Sequence, residues 1–159
     1  MNIEDAIEEF KYIENLNGKK IMLKGNHDYW WQTVSKMKKF LGENNFTTIE
    51  FLFNNSYYHE NYIIAGTKGC NEIDEQNTKK ILNRELSRLE FSIKNGIDNF
   101  GEDKEIIVFM HYPPFTLNNE FIEMMKKYNV KKCIYGHLHG DSLKEAKTRK
   151  HRWNRIYIE

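Results

Sequence analysis

Two cysteines in 159 residues are too few for a disulfide framework, and Cys70 and Cys133 form no CxxC pair. That usage suits a reducing compartment and casts both thiols as small buried hydrophobes. No apolar run approaches the roughly 20 residues that a membrane-spanning helix needs. The N-terminal stretch MNIEDAIEEF is acidic and amphipathic, unlike a signal or transit peptide. The expected setting is cytoplasmic, with no membrane partner. An excess of one charge is also lacking: 24 basic residues face 23 acidic ones, for a net charge of +1. A global pull towards nucleic acid or anionic lipid is thereby excluded, though a local patch is not. Internal repeats and Gly/Ser/Pro-rich linkers are missing as well, so a single domain is the simplest organisation.

What is present is apolar bulk. Hydrophobic residues make up 40% of the chain, aromatics 14% and charged residues 30%, enough to exclude pervasive disorder. A chain of this size hides roughly 70% of the surface its unfolded form exposes. The helical period predicts helices over Ile3–Leu16, Trp31–Leu41, Asp74–Lys94 and Asn118–Tyr128. Apolar runs predict strands at Ile21–Leu23, Glu105–Met110 and Lys132–Tyr135. Two β-rich segments, Phe46–Phe53 and Tyr57–Gly66, flank Asn54-Asn55-Ser56, which predicts a hairpin between them. Helices alternating with strands, plus one hairpin, give an α/β fold with a mixed sheet.

The composition shifts near the end. Lys144 to Arg155 holds six basic residues and one acidic residue, Glu145, without a clear apolar period. Residues 144–159 are therefore set apart as a basic C-terminal segment of uncertain structure, following a domain over residues 1–143. Its expected role is a solvated end, with weak nucleic-acid binding through residues 144–155 and Trp153 as the functional counterpart.

Chemistry-bearing residues gather where apolar strands end. Gly25-Asn26-His27-Asp28 follows Ile21–Leu23, His111-Tyr112-Pro113-Pro114 follows Glu105–Met110, and Gly136-His137-Leu138-His139-Gly140 follows Lys132–Tyr135. In open α/β sheets, ligands bind at the carboxyl ends of strands. Four of the six histidines sit at these three ends. Asn26, His111, His137 and His139 supply nitrogen and oxygen donors that suit Mn, Fe or Zn better than Mg or Ca. By contrast, His59 alternates with apolar positions of a strand and reads as a surface residue, and Trp30 and Trp31 read as core or site-wall aromatics.

The succession of GNHD, a strand ending in His, and GHxH resembles three of the five motifs of the calcineurin-like metallophosphoesterase superfamily. The likeness runs from about Ile3 to Gly140, and the Trp30-Trp31 pair resembles a bacterial branch of predicted phosphohydrolases. The resemblance implies a four-layer α/β/β/α sandwich and two divalent transition metals about 3.5–4 Å apart. It implies hydrolysis of phosphoric esters by a hydroxide bridging those metals. Carried onto this sequence, Asn26, His111 and His137 match ligands of the second metal and His139 a ligand of the first. His27 matches the histidine that meets the phosphate or protonates the leaving oxygen, and Asp28 its orienting carboxylate.

The sequence holds no Asp-x-His and no Gly-Asp-x-x-Asp, the motifs that in the superfamily complete the first metal and the bridge. The expectation is a partial sandwich, truncated before Met1 and irregular at its end, that carries the C-terminal half of the site. A non-catalytic remnant or binding module of the same fold is the alternative.

Overall fold

The computed structural model describes residues 2–71, 75–115, 119–139, 150–151 and 154–158. The chain divides into two compact units, Met1–Leu52 and Phe53–Glu159, at a point where the composition offers no linker.

The first unit opens on a 3-10 turn, Ile3–Ala6, that runs into helix α1, Ile7–Glu14. Asn2 and Asp5 close its start reciprocally: Asn2 Oδ1 accepts from the Ile3 N–H at 3.2 Å, and the Asn2 N–H donates to Asp5 Oδ2 at 2.7 Å. At the other end Lys20 Nζ donates to the carbonyls of Glu14 and Leu16, at 3.0 and 2.8 Å. A cation thus caps the negative end of the helix and anchors the following strand. Strand β1, Lys20–Leu23, helix α2, Val34–Glu43, and strand β2, Ile49–Leu52, form a parallel β-α-β unit. Thr33 caps α2 by accepting from the Lys36 N–H.

The core of this unit is aromatic. Phe10 lies fully buried among Trp30, Phe40, Phe46 and Phe51, with ring centroids 5.1 to 6.4 Å apart. Trp31 packs edge-on against Phe51 at 5.2 Å, so both tryptophans wall the core. Glu14 reaches from the end of α1 to the segment before β2, accepting from Thr48 Oγ1 at 2.7 Å and from the N–H groups of Thr47 and Thr48. Burial pushes this carboxyl up, but the donors of Thr48 and Thr47 together outweigh it and hold it below the usual carboxylate range.

The second unit is built on a six-stranded sheet in the order β3-β4-β5-β6-β8-β7. Its strands are β3, Tyr57–His59; β4, Tyr62–Thr67; β5, Glu105–Met110; β6, Lys132–Tyr135; β7, Lys150–His151; and β8, Asn154–Ile158. β4, β5, β6 and β8 are parallel neighbours, and the antiparallel β3 and β7 close the two edges. Helix α3, Glu75–Phe100, joins β4 to β5, and helix α4, Glu120–Lys127, joins β5 to β6. Every second residue of β4, β5 and β6 (Ile63, Ala65, Ile106, Val108, Met110, Cys133) is buried in one core with Leu89, Ile93, Phe121 and Met125 of the helices. The two helices are tied at Glu90, which accepts from the Tyr128 hydroxyl at 2.5 Å and from Lys127 Nζ at 2.9 Å.

β5 and β6 fall where the apolar runs predict them. The hairpin does not. β2 pairs in parallel with β1, and the hairpin lies one segment later, β3 against β4, with Glu60 in the left-handed region at φ 54°. Asn54-Asn55-Ser56 serves another purpose: Ser56 donates from its N–H and its hydroxyl to Asn95 Oδ1 on α3, at 3.0 and 2.9 Å. Helix α3 also runs past the expected end at Lys94. Gly96 lies inside it, where a Cβ would collide with Ile63 of β4 and crowd Ser56, so this glycine allows close helix–sheet approach rather than ending the helix.

The basic C-terminal segment is corrected in part. Residues 154–158 form β8, parallel to β6, with Cys133 opposite Ile156 and Tyr135 opposite Ile158. This part of the segment is therefore a strand, which the surrounding arginines obscure in the sequence. Residues 144–149 lie outside the described residues. No helix among the described residues is long and apolar enough to cross a membrane.

Candidate metal centre and phosphate-ester site

In the first unit, β1 delivers the chain into Gly25–Asp28. The Gly25 N–H donates to Asp28 Oδ2 at 2.5 Å, the Tyr29 N–H to the His27 carbonyl at 2.8 Å, and the Trp31 N–H to the Asp28 carbonyl at 3.1 Å. These three bonds close a tight turn that leaves the His27 imidazole exposed. Asn26 Nδ2 stands 3.3 Å from His27 Nε2 and donates to that nitrogen when it carries no proton. The amide oxygen, on the opposite lobe, is the atom a cation would take.

In the second unit the adjacent ends of β5 and β6 bring two imidazoles together. Met110 and Tyr135 are paired in register, and the Gly136 N–H donates to the Met110 carbonyl at 3.1 Å. One residue on, His137 takes a left-handed backbone, φ 72°. This costs a residue with a Cβ about 1–2 kcal/mol, although histidine tolerates the region better than most residues. Its Nδ1 reaches within 3.2 Å of His111 Nε2, with the ring centroids 5.0 Å apart.

Tyr112 fills the space beside the pair, its ring 4.5 Å from His137 and 5.0 Å from His111. The loop after β4 backs it: the Tyr112 N–H donates to the Lys68 carbonyl at 2.9 Å, and Lys68 Nζ sits 5.6 Å from the Tyr112 ring centroid. Gly69 lets that loop pass, since at φ 73° a Cβ would come 2.9 Å from Met110 Cε.

The sequence profile of the calcineurin-like phosphoesterases matches residues 2–141. The chain belongs to that family. No curated protein and no solved structure is similar enough to add a closer relative.

The chain therefore places its three motif-bearing strand ends on two separately compact units, Asn26, His27 and Asp28 on the first and His111, His137 and His139 on the second. Two nitrogens bound to one cation at about 2.0–2.1 Å lie about 2.9–3.4 Å apart in octahedral or tetrahedral geometry. The 3.2 Å between His111 Nε2 and His137 Nδ1 fits adjacent positions on one transition metal. His139 is exposed, and among the described residues no group of three or more His, Cys, Asp or Glu side chains could hold a metal ion.

Neither cysteine enters the site. Both are buried free thiols; burial pushes Cys133 up to about 12, and burial followed by the charge of Glu85 pushes Cys70 up to about 11. Tyr112 lies in a cluster that the sequence marks, whereas Lys68 behind it was not singled out. Lys68 had a usable signal, because Thr67-Lys68-Gly69 follows an apolar strand just as the three histidine clusters do.

Proposed function

We propose that this chain hydrolyses phosphoric esters with the help of a divalent transition metal of the Mn, Fe or Zn class, for which His111 and His137 supply a pair of donors. The observation that carries this reading is the His111–His137 pair, two imidazole nitrogens 3.2 Å apart across the ends of neighbouring strands. When bound, such a metal supplies Lewis-acid charge and lowers the pKa of water. The protein's own residues orient and screen. His137 accepts backbone strain to aim its ring at His111, and Tyr112 fixes the tilt of both rings. His27, exposed on its hydrogen-bonded turn, meets a phosphate oxygen or gives a proton to the leaving oxygen. Asp28 acts on His27 through the turn that it closes with Gly25.

Metal binding to the full chain, with and without His137→Ala, tests this reading, alongside turnover of an aryl phosphate. The variant should bind Zn or Mn at least about tenfold more weakly, the loss that even a residue behind the ligands causes. Equal metal affinity in the two proteins would sink the assignment.

A second reading, a binding module that keeps the fold without turnover, is favoured by the lack of a three-ligand group among the described residues. Metal uptake without aryl phosphate hydrolysis would select it.

A further inference from the structure

The turn after β1 sends its aromatic residues two ways. Trp30 and Trp31 enter the core, against Phe10 and Phe51. Tyr29 does not: its side chain is 69% exposed although its backbone is held by the bond to the His27 carbonyl. Its ring centroid lies 6.2 Å from the His27 imidazole, the two planes tilted by 45°. The other exposed tyrosines among the described residues, Tyr12 and Tyr58, have a different setting. Tyr12 projects from α1 with 71% exposure, and Tyr58 stacks on Phe100 at 5.4 Å.

We propose that Tyr29 is a specificity-determining residue that stacks on a flat unsaturated group, a nucleobase or aryl ring, carried by the phosphate ester that meets His27. The inference rests on the reading of His27 given above. An aromatic with two side-chain torsions on a fixed backbone loses little conformational freedom on binding, so it offers contact area at low entropic cost. Leaving such a ring in water gains nothing for folding, whereas Trp30 and Trp31, its neighbours in sequence, are both drawn into the core. The group esterified to a phosphate at His27 has the Tyr29 ring as the aromatic surface nearest to that imidazole within the first unit. Stacking is tolerant of ring identity, so the expected preference is for aromatic over aliphatic esters rather than for one base.

The test compares binding of adenosine 5′-monophosphate and ribose 5-phosphate to the full chain by calorimetry in excess Mn, for the native protein, Tyr29→Leu and Tyr29→Phe. The native chain should prefer the nucleotide. Tyr29→Leu should weaken nucleotide binding about 5- to 100-fold and leave ribose 5-phosphate unchanged, while Tyr29→Phe should keep the preference. Equal affinity of the native chain for both esters, or an equal loss of both in Tyr29→Leu, overturns the proposal. Turnover is scored separately: selective binding without hydrolysis would defeat the phosphoesterase reading and leave the stacking role standing.

Discussion

In the first unit the strand that leads into Gly25–Asp28 has one neighbour among the described residues and is half-buried at all four of its own. In the second, the strands that lead into His111 and His137 are interior members of a six-stranded sheet and bury every second residue. The two units consequently hold their imidazoles by different means. The distance between His111 and His137 is set by sheet register, which moves only if neighbouring strands slip. The exposure of His27 is set by three hydrogen bonds of one turn and by the aromatic cluster beneath it. Register sets the spacing of two side chains precisely, whereas a short turn exposes one group to solvent.

The comparison breaks most sharply at Phe10. Replacing it with alanine empties the centre of the first unit's ring cluster and should cost about 3–5 kcal/mol in urea unfolding. A cost under about 1 kcal/mol would show that the rings do not hold this unit. The counterpart in the second unit is Glu85, 1% exposed, which accepts from Thr67 Oγ1 at 2.7 Å and from Arg88 at 2.6 Å. Glu85→Ala removes the acid from a buried pair, a change of about 3–5 kcal/mol when both charges are enclosed. Arg88 is 30% exposed and can rehydrate, so the lower end, about 3 kcal/mol, is expected. If Glu85→Ala proved costlier than Phe10→Ala, the second unit would depend on one polar network more than the first depends on its core.

The smallest effect concerns pH. The Tyr128 hydroxyl, then Lys127, hold Glu90 down to about 2 from 4.5. A carboxyl depressed in the folded state stabilises above its unfolded pKa, and that contribution fades as pH falls from about 4.5 towards 2. Tyr128→Phe should raise the Glu90 midpoint in a carboxyl-carbon NMR titration and flatten the acid-side decline in stability. An unchanged midpoint would remove the hydroxyl as the cause.

These contrasts were legible in the sequence to different depths. β5 and β6 could be read to the residue because a short apolar run bounded by polar strand ends has few other interpretations. His111 and His137 followed from the same rule. The hairpin was misplaced because Asn54-Asn55-Ser56 signals a change of direction, not a partner, and the partner of β2 is chosen through the α2 crossover. Gly96 inside α3 needed knowledge of Ile63, far away in sequence. The exposure of Tyr29, beside two tryptophans that pack on the core, depends on the turn and has no signal in the sequence.

The left-handed backbone of His137 makes the position a place where folding and function compete. At φ 72° glycine would relieve the steric cost and stabilise the turn, while deleting one of the two converging nitrogens. Selection for thermal robustness alone would therefore erode the proposed metal centre at this residue. Directed evolution of the chain should track His137 as the early marker that robustness is being gained at the expense of chemistry.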